Sequence, residues 1–339
     1  MLTVPTHLPM PLTPSALAQE PGAANAPTDF VEITPELQAA VNRGLAFLVQ
    51  QQQPDGSFGA ERYGRHVGIT ALACLAFMGQ GSLPGRGLYG PQVEKGLDFI
   101  LDSVHENGLI AADASHGPMY GHGFAALFLA EVYGQTADPR CHEALIKAIR
   151  LILGSQNSEG GWRYQPVPAE ADVSVTICQV MALRAARNAG IKVPKETIDK
   201  AVDYVRRCQN ADGGFRYMLN SGNSAFPRSA AGVATLYYAG IYTDQAIDRG
   251  LAYLMTEMPG DSSRNTPHYF YGHYYAVQAM YMAGGRHWRT WFPAIRKELL
   301  EKQDAAAGSW EGQAGTTYGT AMALIILQMP NRYLPIFQK

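Results

Sequence analysis

The chain has 339 residues, of which 47% are apolar and 17% charged, with a formal net charge of −2. That is enough chain for one or two well-cored domains. Acidic and basic residues are interleaved and Lys and Arg form no cluster, which excludes a nucleic-acid partner and a basic membrane-docking face.

The first 28 residues carry six prolines and no hydrophobic period, so residues 1–35 are expected to be a disordered tail or the remnant of a signal. Ala16-Leu17-Ala18 resembles a cleavage site. However, no Lys or Arg precedes Arg43, and prolines interrupt any apolar core. Both a cytoplasmic and an exported protein fit this start. No apolar run reaches the roughly 18–20 residues of a transmembrane segment. Cys74, Cys141, Cys178 and Cys208 stand far apart without a Cys-x-x-Cys pair, and read as small buried residues.

Residues 36–339 read as one domain of repeats. "SQNSEGGWRY" (155–164) and "CQNADGGFRY" (208–217) share the frame Gln-Asn-x-x-Gly-Gly-aromatic-Arg-Tyr. Looser copies of the surrounding unit are "RGLAFLVQQQQPDGSF" (43–58), "KGLDFILDSVHENGLI" (95–110, with Val104 for Gln), "RGLAYLMTEMPGDSSR" (249–264, first half only) and "AIRKELLEKQDAAAGSW" (294–310). Six units at a period of about 45–53 residues indicate stacked supersecondary pieces. Each begins with an amphipathic helix that ends at the Gln-x-x-x-Gly phrase, where Gly can close a helix and the Gln amide can satisfy free carbonyls. A second helix follows that is apolar nearly all round, as in "HVGITALACLAFMG" and "YGHGFAALFLAEVYG", and is therefore buried on most sides. Alternating polar-sided and apolar helices predict an all-α fold, two concentric rings in an α6/α6 barrel.

The unit Lys/Arg-Gly-x-x-Phe/Tyr-Leu-x-x-x-Gln-x-x-x-Gly-x-Trp resembles the repeat of squalene–hopene cyclases and, more loosely, of protein prenyltransferase β subunits. The resemblance spans roughly residues 36–330. It implies an α/α toroid whose central cavity holds an isoprenoid chain, with the starts of the inner helices facing the cavity mouth. Six residues stand near those starts: His66, His122, Asp172, Arg228, His273 and Tyr318. A helix N-terminus suits an anionic head group. Tyr120-Gly121-His122 and Tyr271-Gly272-His273 repeat a triplet in which Gly would allow close backbone approach to a ligand. Tyr120, Phe124 and Tyr271 either line a pocket, where they could stabilise a cation, or are ordinary core.

The family's catalytic sets are incomplete. Cyclases of this type protonate an alkene with the middle carboxylate of an Asp-x-Asp-Asp motif. The matching stretch is Asp172-Val173-Ser174-Val175-Thr176, in which Ser174 replaces the proton donor, and no Asp-Asp pair occurs anywhere. The prenyltransferase zinc triad of Asp, Cys and His would map onto Asp172, Ser174 and a displaced His273, so zinc is possible but does not transfer as a set. The chain is also about half the size of two-domain cyclases. Asp172 is either an N-cap or an acid.

The expected function is an isoprenoid- or similar apolar-ligand-binding toroid. If catalytic, it would be of terpene cyclase or prenyl transferase type, with Asp172 as acid and His122 and Arg228 on a diphosphate. A non-catalytic binding module with a protein partner is the alternative. A carbohydrate-active barrel, with Glu170 and Asp172 as paired carboxylates, is a third.

Overall fold

The outer helix of the fourth repeat shows how the sequence pattern becomes structure. In α7 (Lys195–Arg207) the buried residues are Thr197, Ile198, Ala201, Val202, Tyr204 and Val205, all on one stripe. Charged residues occupy the other face and pair at i,i+4 spacing, as in Lys195–Asp199 and Lys200–Glu196. By contrast every residue of α2 (Val67–Met78) is buried, so that helix has no solvent side. The computed structural model describes residues 32–60, 63–112, 117–260 and 267–338. Within them, six outer helices alternate with six inner ones. The outer set comprises α1 (Pro35–Gln51), α3 (Gly90–Asp102), α5 (Pro139–Gly154), α7, α9 (Gln245–Thr256) and α11 (Gly285–Lys302). The inner set comprises α2, α4 (Met119–Thr136), α6 (Val173–Asn188), α8 (Phe226–Tyr238), α10 (Tyr269–Ala283) and α12 (Thr316–Leu327). Each inner helix packs on the next, and α12 packs back on α2, which closes the ring. The only paired strands among the described residues are a two-residue hairpin, β1 (Gly59–Ala60) and β2 (Gly64–Arg65).

The repeated phrase does more than end a helix. The Gln156 side-chain amide donates to the carbonyl of Gly160 in its own turn (2.8 Å) and to that of Thr197 in the next outer helix (2.9 Å). Gln52 does the same with Gly56 and Gln92, and Gln209 with Gly213 and Ala246. Gln303 binds Gly308 and, across the closure, Ala40 of α1. Each glutamine thus bolts one repeat to its successor. The turn glycine is required twice over: Gly160 sits at φ +103, and a Cβ there would lie 2.2 Å from the Lys200 carbonyl. The following aromatic is driven into the wall. Trp162, Phe215 and Trp310 are essentially inaccessible, and the two indole N–H groups reach the Ile152 and Leu299 carbonyls.

Residues 334–337 close the end of the barrel where the inner helices finish. Leu334, Ile336 and Phe337 are buried, and the Ile336 N–H donates to the Glu131 carboxyl (3.3 Å). Burial pushes that carboxyl up from its ordinary value to about 8. Because the folded Glu131 holds its proton more tightly than an unfolded glutamate, stability falls as pH rises from about 4.5 to 8. The loss is on the order of 5 kcal/mol. Glu131→Gln, which keeps the shape without the charge, should flatten that part of the pH dependence of chemical denaturation; an unchanged slope would count against it.

The toroid begins slightly before the expected boundary at residue 36: Thr34 caps α1, and Glu32 accepts from the Trp288 indole (2.6 Å) and from Arg296 (3.0 Å). The readings placed on residues 1–31, including Ala16-Leu17-Ala18, lie outside the described residues. No helix among the described residues is long and apolar enough to cross a membrane.

Candidate functional site

The inner helices start around a common space. A cavity of about 1060 Å³ is lined by the first one or two turns of α2, α4, α6, α8, α10 and α12, by the loops that precede them and by Tyr253 of α9. All six inner helices therefore point the same way, N-termini toward the opening. The lining combines Ile69, Leu72, Phe124, Tyr271 and Tyr318 with polar groups that include His66, Ser174, Arg228 and Glu257.

Six of the nine sequence-predicted site residues line this space: His66, Tyr120, Phe124, Arg228, Tyr271 and Tyr318. His66 caps α2, its Nδ1 accepting from the Gly68 and Ile69 N–H groups (3.1 and 3.3 Å). An imidazole that accepts at Nδ1 while neutral carries its proton on Nε2, and burial lowers the pKa, so the ring presents an N–H donor. Arg228 is held by the Phe215 and Asn223 carbonyls (3.2 and 2.7 Å), which leaves its charge without a carboxylate partner among the described residues. Tyr271 donates to the Ser174 carbonyl (2.8 Å), tying α10 to the start of α6.

Asp172, His122 and His273 do not line the cavity. Asp172 caps α6 through Val175 N–H (2.8 Å) and is fully buried. Its second oxygen accepts from the Tyr217 hydroxyl (3.2 Å), with the Arg163 guanidinium 3.9 Å away. Burial raises its pKa to about 6, against the pull of Val175 N–H, the Tyr217 hydroxyl and Arg163. Ser174, two residues into α6 from that cap, does line the cavity.

The two histidines are misplaced by one helical turn relative to the expectation. The residue level with His66 and Asp172 in the second repeat is Pro118, the N-cap of α4. His122 lies four residues deeper, where four of the five other repeats carry Thr70, Thr176, Ser229 and Thr320. Those hydroxyls accept the backbone N–H of Phe58, Trp162, Phe215 and Trp310 at 2.8–3.1 Å. The imidazole Nδ1 accepts that of Ile110 in the same way (3.1 Å), and burial lowers its pKa to about 4. It pins a loop and stays neutral. His122→Leu should therefore cost about 1–3 kcal/mol by stranding the Ile110 N–H, with His122→Asn recovering part of that in denaturant titration. His273 is caged by Phe226, Tyr269 and Trp291, and burial lowers its pKa to about 3. The glycine of its triplet serves helix packing, since a Cβ on Gly272 would meet the Phe226 ring at 2.6 Å. Of the residues onto which the zinc triad maps, Asp172 is engaged by Val175 and Tyr217, and His273 lies in its aromatic cage. Among the described residues no three His, Cys, Asp or Glu side chains could share a metal ion.

Sequence reasoning missed Tyr63, Tyr164, Tyr217, Tyr253, Glu257 and His268, all in the cavity lining. For Tyr164 and Tyr217 the signal was present: they end the two strict copies of the repeated phrase. Their carbonyls accept from Met119 N–H (3.2 Å) and Val173 N–H (3.0 Å), the first residues of α4 and α6, so each loop is latched over an inner-helix mouth. The two phenol hydroxyls are hydrogen-bonded to each other. Across the rim the Gln313 amide meets His268 Nδ1 at 2.7 Å, a pairing that no sequence pattern announces.

The inner and outer helices together make a closed α/α toroid with a cavity at the inner-helix starts, the fold of terpenoid cyclase-like proteins among others. Residues 126–296, half of the chain, match the model of the squalene-hopene cyclase C-terminal domain, and the chain belongs to that family. Curated relatives are drimenyl diphosphate synthases. The one from Streptomyces showdoensis is 25% identical over 182 residues, covering 53% of this chain and 32% of the relative. The one from Streptantibioticus cattleyicolor is 29% identical over 181 residues, covering 49% and 32%. The match thus spans about a third of each relative's length. Among solved structures, the type II terpene cyclase MstE from Scytonema superposes with a TM-score of 0.60 at 14% identity, covering 89% of this chain and 100% of that one. A GH76A alpha-1,6-mannanase from Salegentibacter sp. HEL1_6 superposes at a TM-score of 0.64 and 9% identity, covering 86% and 98%. These likenesses define the fold; chemistry has to be argued from the cavity.

Proposed function

We infer that the cavity receives the apolar chain of an isoprenoid or a similar ligand, with its polar end among the helix starts, where Arg228 stands across the ring from His66. The observation that carries this reading is the cavity itself, about 1060 Å³ of space walled by Ile69, Leu72, Phe124, Tyr271 and Tyr318. Each methylene buried there contributes about 0.8 kcal/mol, so roughly a dozen chain carbons offset the cost of association. The neighbouring MstE structure is described in complex with geranylgeranyl dihydroxybenzoate, which lends the same direction to the argument.

Ser174 supports a binding role over the family's standard alkene protonation. A serine hydroxyl is far too weak an acid to protonate an alkene, and the adjacent carboxyl, on Asp172, is sealed behind Tyr217. The test is solvent extraction and mass spectrometry of gently purified protein, with metal content measured on the same sample, followed by binding of a C20 prenyl alcohol. Saturable binding that Leu72→Trp abolishes is the expected result. Equal binding by that cavity-filling variant would overturn the reading, and stoichiometric zinc would return the transferase chemistry.

A further inference from the structure

Tyr164 and Tyr217 are the last residues of the phrase that the chain repeats most faithfully, and cavity formation alone does not require hydroxyls there. Their hydrogen bonding forms a continuous line from the cavity to the buried carboxyl. Tyr164 meets Tyr217 hydroxyl to hydroxyl, and Tyr217 reaches Asp172 Oδ2 at 3.2 Å. Asp172 Oδ1 is already taken by the Val175 N–H, so the carboxyl addresses Tyr217 through its other oxygen. Both phenols line the cavity and Asp172 does not.

Such a line can be oriented in only two ways. With Asp172 ionised, Tyr217 donates to it and must accept from Tyr164, whose oxygen lone pairs are then what the cavity meets. With Asp172 protonated, its O–H donates to Tyr217, Tyr217 donates to Tyr164, and the Tyr164 O–H points its proton at the ligand. We propose that Tyr164, Tyr217 and Asp172 form a reversible proton line that recognises an oxygen- or nitrogen-bearing group on the apolar ligand, offering an acceptor when Asp172 is ionised and a donor when it is protonated. No net proton leaves the line in either state; one proton is added at Asp172 from solvent and the hydroxyl hydrogens reorient.

The groups around Asp172 allow this to happen near neutral pH. Burial lifts its pKa to about 6. The titratable neighbours on packed elements are Tyr120 of α4, Tyr204 of α7, Cys178 of α6, Tyr271 of α10 and Tyr217 itself, and burial raises all five. They stay neutral while Asp172 titrates. The charged neighbour is Arg163, which is itself ion-paired to Glu170.

This inference rests on the apolar-ligand reading, and the experiment separates the two. Three probes of one chain length are compared from pH 5 to pH 8: a C20 isoprenoid hydrocarbon, its methyl ether (acceptor only) and its primary ammonium (donor only). The hydrocarbon should bind independently of pH. The ether should bind three- to ten-fold more tightly at pH 5 than at pH 8, and the ammonium should change in the opposite sense, the range expected for one hydrogen bond. Asp172→Asn should remove both pH dependences, and Tyr164→Phe should reduce the ether to the hydrocarbon's affinity. If Tyr164→Phe kept the ammonium's pH dependence, the effect would be the bare field of Asp172 and the proton line would be overturned. PH-independent ether binding in the unaltered protein would overturn it as well. If the hydrocarbon itself failed to bind, the ligand reading would fall first.

Discussion

Trp310→Ala should destabilise the protein by about 3–5 kcal/mol, the cost of removing a large aromatic from a closed core. Trp310 is 1% exposed and sits at the seam where the last repeat meets the first. Its ring lies so close to Gly44 of α1 that a Cβ on that glycine would be 2.8 Å from it. Its indole N–H satisfies the Leu299 carbonyl and its backbone N–H donates to Thr320. Beside it, Gln303 ties the Gly308 turn to Ala40. Deleting the indole therefore leaves a void and a stranded carbonyl at the one junction that makes a ring from a row of repeats. Hydrogen exchange should accelerate first in α1, α11 and α12, ahead of α6 and α7. A loss below about 1 kcal/mol, or acceleration spread evenly round the barrel, would show that closure at this seam contributes little.

Ser174→Asp should place a protonated carboxylic acid in the cavity. The side chain belongs to the cavity wall, and the residue lies two positions from Asp172, which already holds its proton up to about 6. A new carboxyl there would be both desolvated and beside a like charge, and both effects favour the neutral acid at pH 7. It would stand where the resemblance to squalene–hopene cyclases puts the proton donor. Incubating the variant with geranylgeranyl diphosphate and analysing the dephosphorylated products should reveal cyclised hydrocarbon or alcohol that the unaltered protein does not form. Binding of the diphosphate without any cyclised product would show that the cavity does not fold the chain for cyclisation, and would place the protein further from the enzymes of its family than one residue.

The fold was legible in the sequence because its cause is local and repeated. A helix needs a stripe, a turn needs Gly160, and a buried helix needs apolar residues all round; each is written in short windows, the helix pair recurring six times and the turn glycine in five of the six units. Even the closing of the ring could be anticipated, since the last unit carries the same Gln303, Gly308 and Trp310 as the inner ones. What Gln303 binds was not legible, because its partner Ala40 is 263 residues away and contributes only a carbonyl.

The site was read less well, for a reason of geometry. His122 stands four residues further into its helix than His66 does into its own, and at that depth the side chain meets the Ile110 backbone N–H instead of the cavity. Asp172, His122 and His273 drew attention as the residue types that do chemistry, yet burial and packing partners fix what they can do. Conversely, Tyr164 and Tyr217 looked like the tail of a structural phrase. The sequence by itself determined the helix pairs, their number and the turn that links them, because those follow from periodicity and backbone conformation. Only the tertiary structure decided which side chains share the cavity, because that depends on how six helix starts and their loops converge in space.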